Sequence, residues 1–142
     1  MLNGEALFSY LMYRFQKYHK GKISIDGRQF SAIYADSLPK QIVGLMYRDG
    51  IGNDECMLFV FSREGSHPIW MHNMRFPIDV IWLDSTGSVI HIEEGLQPCR
   101  SLLGCKQYGS ESHSKYVIEF MKGTVAKNGI NMKSRMNLDN GK

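Results

Sequence analysis

The segment "KISIDGRQFSAIYA", residues 22–35, limits the fold more than any other stretch of this chain. Two runs alternate apolar and polar residues, the period of a strand with one buried face, and only Asp26-Gly27 separates them. A two-residue connection matching the twist of its strands is a type I′ turn, which needs positive φ at both positions; Asp-Gly is among the few pairs that accept this. The segment predicts a β-hairpin, and with it a core built on strands.

The rest of the chain reads consistently with that start. "CMLFVF" is short and apolar on both faces, as a buried strand would be. Residues 70–75 and Ile78 to Leu83 read as extended, with Pro77 marking an interruption or bulge, and "DSTG" turns the chain into "SVIHIEE". "KYVIEFM" and "GINMKSRMNL" supply two last strands around a helical turn near Val125 to Asn128. The spacing predicts an antiparallel arrangement throughout or nearly so, with strand residues outnumbering helical ones between Gly21 and Leu138. Two other stretches are helical. Leu7, Phe8, Leu11, Met12 and Phe15 recur at helical spacing, with Asn3 as a candidate N-cap and Gly21 as a stop. Ser37 can cap a second helix that accepts Pro39 in its first turn, faces inward with Ile42, Val43 and Met46, and ends near Gly50. Gly95 to Ser114, rich in Gly, Ser and Pro, reads as a long functional or mobile loop.

With 142 residues, 43% hydrophobic and 22% charged, the chain has globular composition and the size of one domain. The expected division is an N-terminal helical extension over residues 1–20 and a single β-rich domain over 21–142 with a soft basic C-terminal tail. No apolar run reaches the roughly 20 residues of a membrane-spanning helix. A soluble protein is expected, with weak peripheral membrane contact through the amphipathic N-terminal helix as a minor option. The net charge of +3 comes from basic ends flanking an acidic middle, without an aromatic and basic stripe, so no nucleic acid is expected as a partner. The start lacks the order of a secretory signal, and three cysteines are too few for a disulfide framework, which together point to a cytoplasmic protein. Cys99 and Cys105 lie close enough in sequence for a local disulfide, but that compartment would keep them as free thiols.

The chemistry-bearing residues concentrate in "WMHNMRFPIDVIW", residues 70–82. Asp79 stands among Ile78, Val80, Ile81 and Trp82, where a carboxylate needs a partner. Either it fixes a bend by bonding Arg75 or backbone amides, or it stands in a cleft as a general base or ligand contact. The expectation is one hydrogen-bonded set in which Asp79 is ionised and held by Arg48 or Arg75. Trp70 on an extended segment reads as core, although an indole can also serve as a ligand platform. His67, His72, His91, His113, Cys99 and Cys105 show no ligand spacing such as Cys-x2-Cys, so neither a metal nor a cofactor is expected.

Read in order, "YADSLPKQIVGLMYRDGI", "MLFVF", "WMHNMRFPIDVIWLD", "QPC" and "KYVIEFMKG" resemble the domain of unknown function 192, also called uncharacterised protein family 0127, over about residues 30–135. The motif residues carried over are Gly44, Leu45, Met46 and Arg48; Trp70, Met71, Asn73 and Met74; Pro77 and Asp79; and Pro98 with Cys99. Cys56 departs from the pattern, standing where a glycine often precedes the Met-Leu-Phe strand. The resemblance implies a small β-rich α+β domain, a curved antiparallel sheet or half-closed barrel with short helices, and brings no activity with it. Two functions follow as expectations. The first is a binding or interaction module whose concave site, near Arg48, Trp70, Asn73, Arg75 and Asp79, holds a small molecule or peptide. The second is a hydrolase or transferase with Asp79 as base and Arg48 or Arg75 neutralising an anionic group.

Overall fold

A computed structural model describes residues 4–101, 103–111 and 113–138. In chain order the elements are α1 (Gly4–Phe15), β1 (Lys20–Ile25), β2 (Arg28–Ala35), α2 (Leu38–Val43), β3 (Glu55–Ser66), β4 (Ile69–Trp70), β5 (Ile78–Leu83), β6 (Val89–Leu96), β7 (Gln107–Tyr108), β8 (His113–Met121), α3 (Thr124–Lys127) and β9 (Met136–Leu138). The Asp-Gly turn forms as its residues dictate: Asp26 has φ 50° and Gly27 φ 83°, and Ile25 pairs with Arg28 across it. Asn3 and the tail beyond Leu138 lie outside the described residues.

Seven strands form one sheet in the order β6-β5-β8-β3-β2-β1-β9, and β4 pairs with β7 in a separate ribbon. Every neighbour in the large sheet is antiparallel except β2 and β3, which run parallel with Ser31 beside Glu55 and Ala35 beside Phe59. That pair requires a crossover, and α2 with the segment after it provides one. The sheet curls until its two edges meet at one end. Ser88 bridges to Arg135, the Met136 amide donates to the Gly87 carbonyl, and the Val89 amide donates to the Ser134 carbonyl. The result is a half-closed barrel.

Strand alternation sorts the core into two bodies. Ile23, Ile25, Phe30, Leu58, Ile81, Ile118 and Phe120 join Val89 and Met136 from the two edges, so this cluster fills the inside of the curl. Met57, Phe59, Val80, Trp82 and Val117 face the other way and are covered by Leu45, Ile69, Met71, Met74 and Phe76. β5 is therefore buried along its whole length.

The second helix is shorter than its pattern suggests. It stops at Val43 because Gly44, at φ 50° and ψ −129°, leaves helical geometry, and Ser37 at its start makes no side-chain cap bond. Ile42 points outward as a result. The first helix forms, but Leu7, Phe8, Leu11 and Phe15 of its apolar stripe remain exposed. Its contact with the domain runs through Tyr10 and Tyr13, whose rings lie 5.6 and 5.7 Å from that of Tyr47. Among the described residues no helix is long and apolar enough to cross a membrane.

Candidate functional site

Asp79 sits where the β5–β6 register slips, between the pairs Ile78 with Leu96 and Val80 with Glu93. It is 1% exposed. One carboxyl oxygen accepts the Gly95 amide at 2.9 Å; the other accepts the amides of Gly123 and Val125 at 2.9 and 3.0 Å. Gly123 and Val125 belong to the first turn of α3, whose amides have no partner within the helix. Asp79 thus caps α3 from a neighbouring strand and anchors the end of β6. Of the alternatives left open by the sequence, backbone amides hold this carboxylate.

No arginine holds it. Arg75 is half exposed and pairs instead with Asp49 at 3.1 Å on the surface. Arg48 lies with its guanidinium 5.3 Å from the centre of the Tyr18 ring, and its Nε is buried without a hydrogen-bond partner. Local geometry explains the divergence. Phe76 and Met74 turn inward beside Arg75, which sends the arginine outward, and Tyr47, at φ 65°, reverses the chain just before Arg48.

Asn73 is the counterpart of that reversal. At φ 59° it is also left-handed, a conformation asparagine accepts more readily than most residues, and its carbonyl accepts the Tyr47 amide at 3.1 Å. Its side-chain amide approaches the Met46 sulfur at 4.0 Å. Asn73 therefore locks the Gly-Leu-Met-Tyr-Arg corner to the Trp-Met-His-Asn segment.

The cysteines correct another expectation. Cys99 and Cys105 form a disulfide, with Cα atoms 5.9 Å apart, rather than standing as free thiols. The Gly- and Pro-containing stretch between β6 and β8 brings the two within the bonding reach that their spacing allowed. His72 lies 3.7 Å from the Cys105 sulfur, and the Cys99 amide donates to the Met71 carbonyl. The long loop is thereby pinned to the Trp-Met-His-Asn segment twice, here and through the β4–β7 ribbon. Gly109 packs directly on the Trp82 indole, where any side chain would collide with it. Among the described residues no three His, Cys, Asp or Glu side chains gather as a metal would require.

These supports frame a groove of ≈ 380 Å³ on the outer face of the sheet. Its walls are the α2 corner, from Leu38 to Met46, and the segment Ser66–Trp70, with Phe59, Phe61, Met74 and Gln107 between them. Trp70 is 45% exposed at the rim, not in the core, and tilts against the His72 ring at 4.9 Å. Of the five residues singled out from sequence, Trp70 alone lines the groove. Asn73 supports it through Met46, while Arg48, Arg75 and Asp79 lie elsewhere. The concave inside of the sheet, where the sequence placed the site, is filled by the inner core.

One lining residue escaped the sequence reading. Glu119 of β8 stands between Met57 of β3 and Val80 of β5, on the face that the groove overlies. It is 6% exposed, and its Oε2 is buried without a hydrogen-bond partner. Desolvation by burial pushes its carboxyl up from 4.5 to about 8, so it holds its proton at neutral pH. The signal was present in "KYVIEFM": an acid flanked by Val117, Ile118 and Phe120 in a strand apolar on both faces.

Comparison with known proteins agrees with this fold. A crystal structure from Sinorhizobium meliloti 1021, named as that of a proposed transcription regulator, is 27% identical and superposes with a TM-score of 0.77, covering 87% of this chain and 96% of that one. A protein of unknown function from Novosphingobium aromaticivorans DSM 12444 superposes with a TM-score of 0.76 at 20% identity, covering 87% and 94%. No curated protein matches. Residues 21–138 match the family described as "Uncharacterized ACR", and the chain belongs to that family, the domain of unknown function 192.

Proposed function

We propose that this protein is a binding module for a small, largely apolar molecule, and that its site is the outer-face groove rimmed by Trp70. The observation that carries this reading is Glu119. A carboxyl group nine-tenths buried, with an oxygen lacking any partner, costs free energy in the empty protein, and a groove lined mostly by apolar side chains gives a ligand access to that carboxyl group. The volume lies within the range of small-molecule sites, in which a few polar groups fix orientation against apolar walls. The domain over residues 21–142 would carry this site, with residues 1–20 as an extension whose Tyr10 and Tyr13 pack against Tyr47.

The enzymatic alternative, with Asp79 as general base and Arg48 or Arg75 neutralising an anion, receives less support. Both Asp79 oxygens already accept amide hydrogens, and neither arginine faces them. A base must reach the proton that it removes.

Titration of the isotope-labelled protein with 2-phenylethanol and, separately, with 2-phenylethylamine, followed by NMR, tests the location. Amide shifts should move at Gly44, Leu45, Ile69 and Trp70, and stay put at Gly95, Gly123 and Val125. Shifts confined to the Asp79 surroundings, or none with either 2-phenylethanol or 2-phenylethylamine at millimolar concentration, would overturn the groove as the site.

A further inference from the structure

The polar groups along the groove are almost all engaged within the protein. The Gln41 amide donates to the carbonyls of Ala35 and Val60 at 3.1 and 2.8 Å. The Ser66 hydroxyl donates to the Ser110 carbonyl at 2.6 Å. His67 stacks on Phe61 with ring centres 3.6 Å apart, and its Nε2 bonds the Arg63 carbonyl at 2.9 Å. Among the described residues, Glu119 is the buried polar group of this lining that lacks a partner. Among the described residues no lysine or arginine lines the groove, so an anionic ligand would meet a carboxyl with no cation of the lining to offset its charge. Phe59, Phe61 and Trp70 add aromatic faces, whose negative quadrupole attracts a cation.

From this complementarity we propose that the groove takes a small apolar molecule bearing a primary amine, whose ammonium head pairs with the Glu119 carboxylate while its apolar body lies along Phe59, Ile69 and Trp70. The proposal rests on the groove being the binding site. An ammonium suits the position better than a neutral head group: it donates to the carboxylate and cancels the charge that burial disfavours.

Proton balance gives the pairing a signature. At pH 7 the free amine is ammonium, with a pKa near 10 as for lysine, and Glu119 is protonated. Forming the pair converts the carboxylic acid to carboxylate and releases its proton to the buffer; no covalent bond in the ligand changes. The groups facing Glu119 do not compete for that proton. Its strand neighbours are Met57 and Val80, and α2 contributes Gln41, Ile42 and Val43 to the lining. Among the described residues of the lining His67 is the other titratable side chain.

Calorimetry with 2-phenylethylamine and 2-phenylethanol, in buffers of different ionisation enthalpy, tests the proposal. At pH 7 the amine should release close to one proton per molecule bound and the alcohol none. Between pH 6.5 and 8.5 the amine's affinity should rise about 20-fold, following ionisation of a group with a pKa of about 8, while the alcohol's does not rise. His67→Gln should leave the proton release unchanged, and Glu119→Gln should abolish it together with the preference for amine. If both probes bind equally with no proton released, or the alcohol alone binds, the amine inference is overturned and the groove stands. If neither binds, the groove reading itself falls. The proton count is read on the unsubstituted protein, so the test survives failure of Glu119→Gln to fold.

Discussion

Replacing Asp79 by alanine should be among the most damaging single changes available in this domain, and the structure allows the size to be worked out. The carboxylate accepts three backbone amides, those of Gly95, Gly123 and Val125, at 2.9 to 3.0 Å in a site that is 1% exposed. A buried donor left unpaired costs about 1–3 kcal/mol. A water entering the vacated space could take two of the three bonds and leave one donor unpaired, so the net loss should be on the order of 3 kcal/mol, against a total of about 5–15 kcal/mol for a typical domain. Asp79→Asn separates charge from geometry. With its single carbonyl oxygen in the Oδ2 position it keeps Gly123 and Val125, but its NH2 then opposes the Gly95 amide, for a loss of about 2 kcal/mol. Urea unfolding followed by circular dichroism measures both, with an unchanged slope showing that the same surface is exposed in each variant. The reasoning is refuted if Asp79→Ala lies within about 1 kcal/mol of the parent, or if the asparagine variant is as damaged as the alanine one.

Glu119 should make stability fall with pH. Because burial raises its folded pKa to about 8 from 4.5, its contribution is fully present below about pH 4.5, declines as pH rises through 8 and then levels off, over a span on the order of several kcal/mol; Glu119→Gln should flatten that decline in urea titrations at pH 5, 7 and 9. The Cys99–Cys105 bridge closes a short loop, so Cys99→Ser should cost about 2 kcal/mol in thermal or urea unfolding without dithiothreitol, and the difference should vanish in its presence. Arg75→Ala removes only an exposed pair with Asp49 and should cost less than about 1 kcal/mol in the same urea assay, where a loss above 3 kcal/mol would mean that Arg75 supports the core after all.

What the sequence made legible was whatever depends on near neighbours. The hairpin at Asp26-Gly27, the break at Pro77, the strands of "CMLFVF" and "KYVIEFM", and the turn at α3 all follow from periodicity and turn chemistry within a few residues. The partners of Asp79 stand 16, 44 and 46 residues away, and amides of any sequence can serve as donors, so no residue type marked them. An arginine was the visible candidate and the wrong one. The parallel β2–β3 pairing was hidden for a related reason: alternation shows which face of a strand is buried but not which strand lies beside it, nor its direction. Trp70 was read as core from its residue type, yet its exposure is set by the β4–β7 ribbon, whose two halves come from separate parts of the chain. Family motifs found the neighbourhood of the groove, and the carboxyl beneath it went unremarked in a segment read only as a strand.

The meeting of the sheet's edges has a consequence in time as well as in shape. Asp26 and Arg135, 109 residues apart, exchange hydrogen bonds, and Met136 to Leu138 complete the sheet against Ile23 to Ile25. Contacts of such high sequence separation come at the end of a search through chain conformations, which slows folding relative to helical proteins of equal size. On the ribosome, the hairpin can form as soon as it emerges, but its outer strand must wait for residue 136 before it gains its second neighbour. Until then β1 is an open edge, its Ile23 and Ile25 paired on the β2 side only, and it is there that a nascent or stalled chain would pair with another copy of itself.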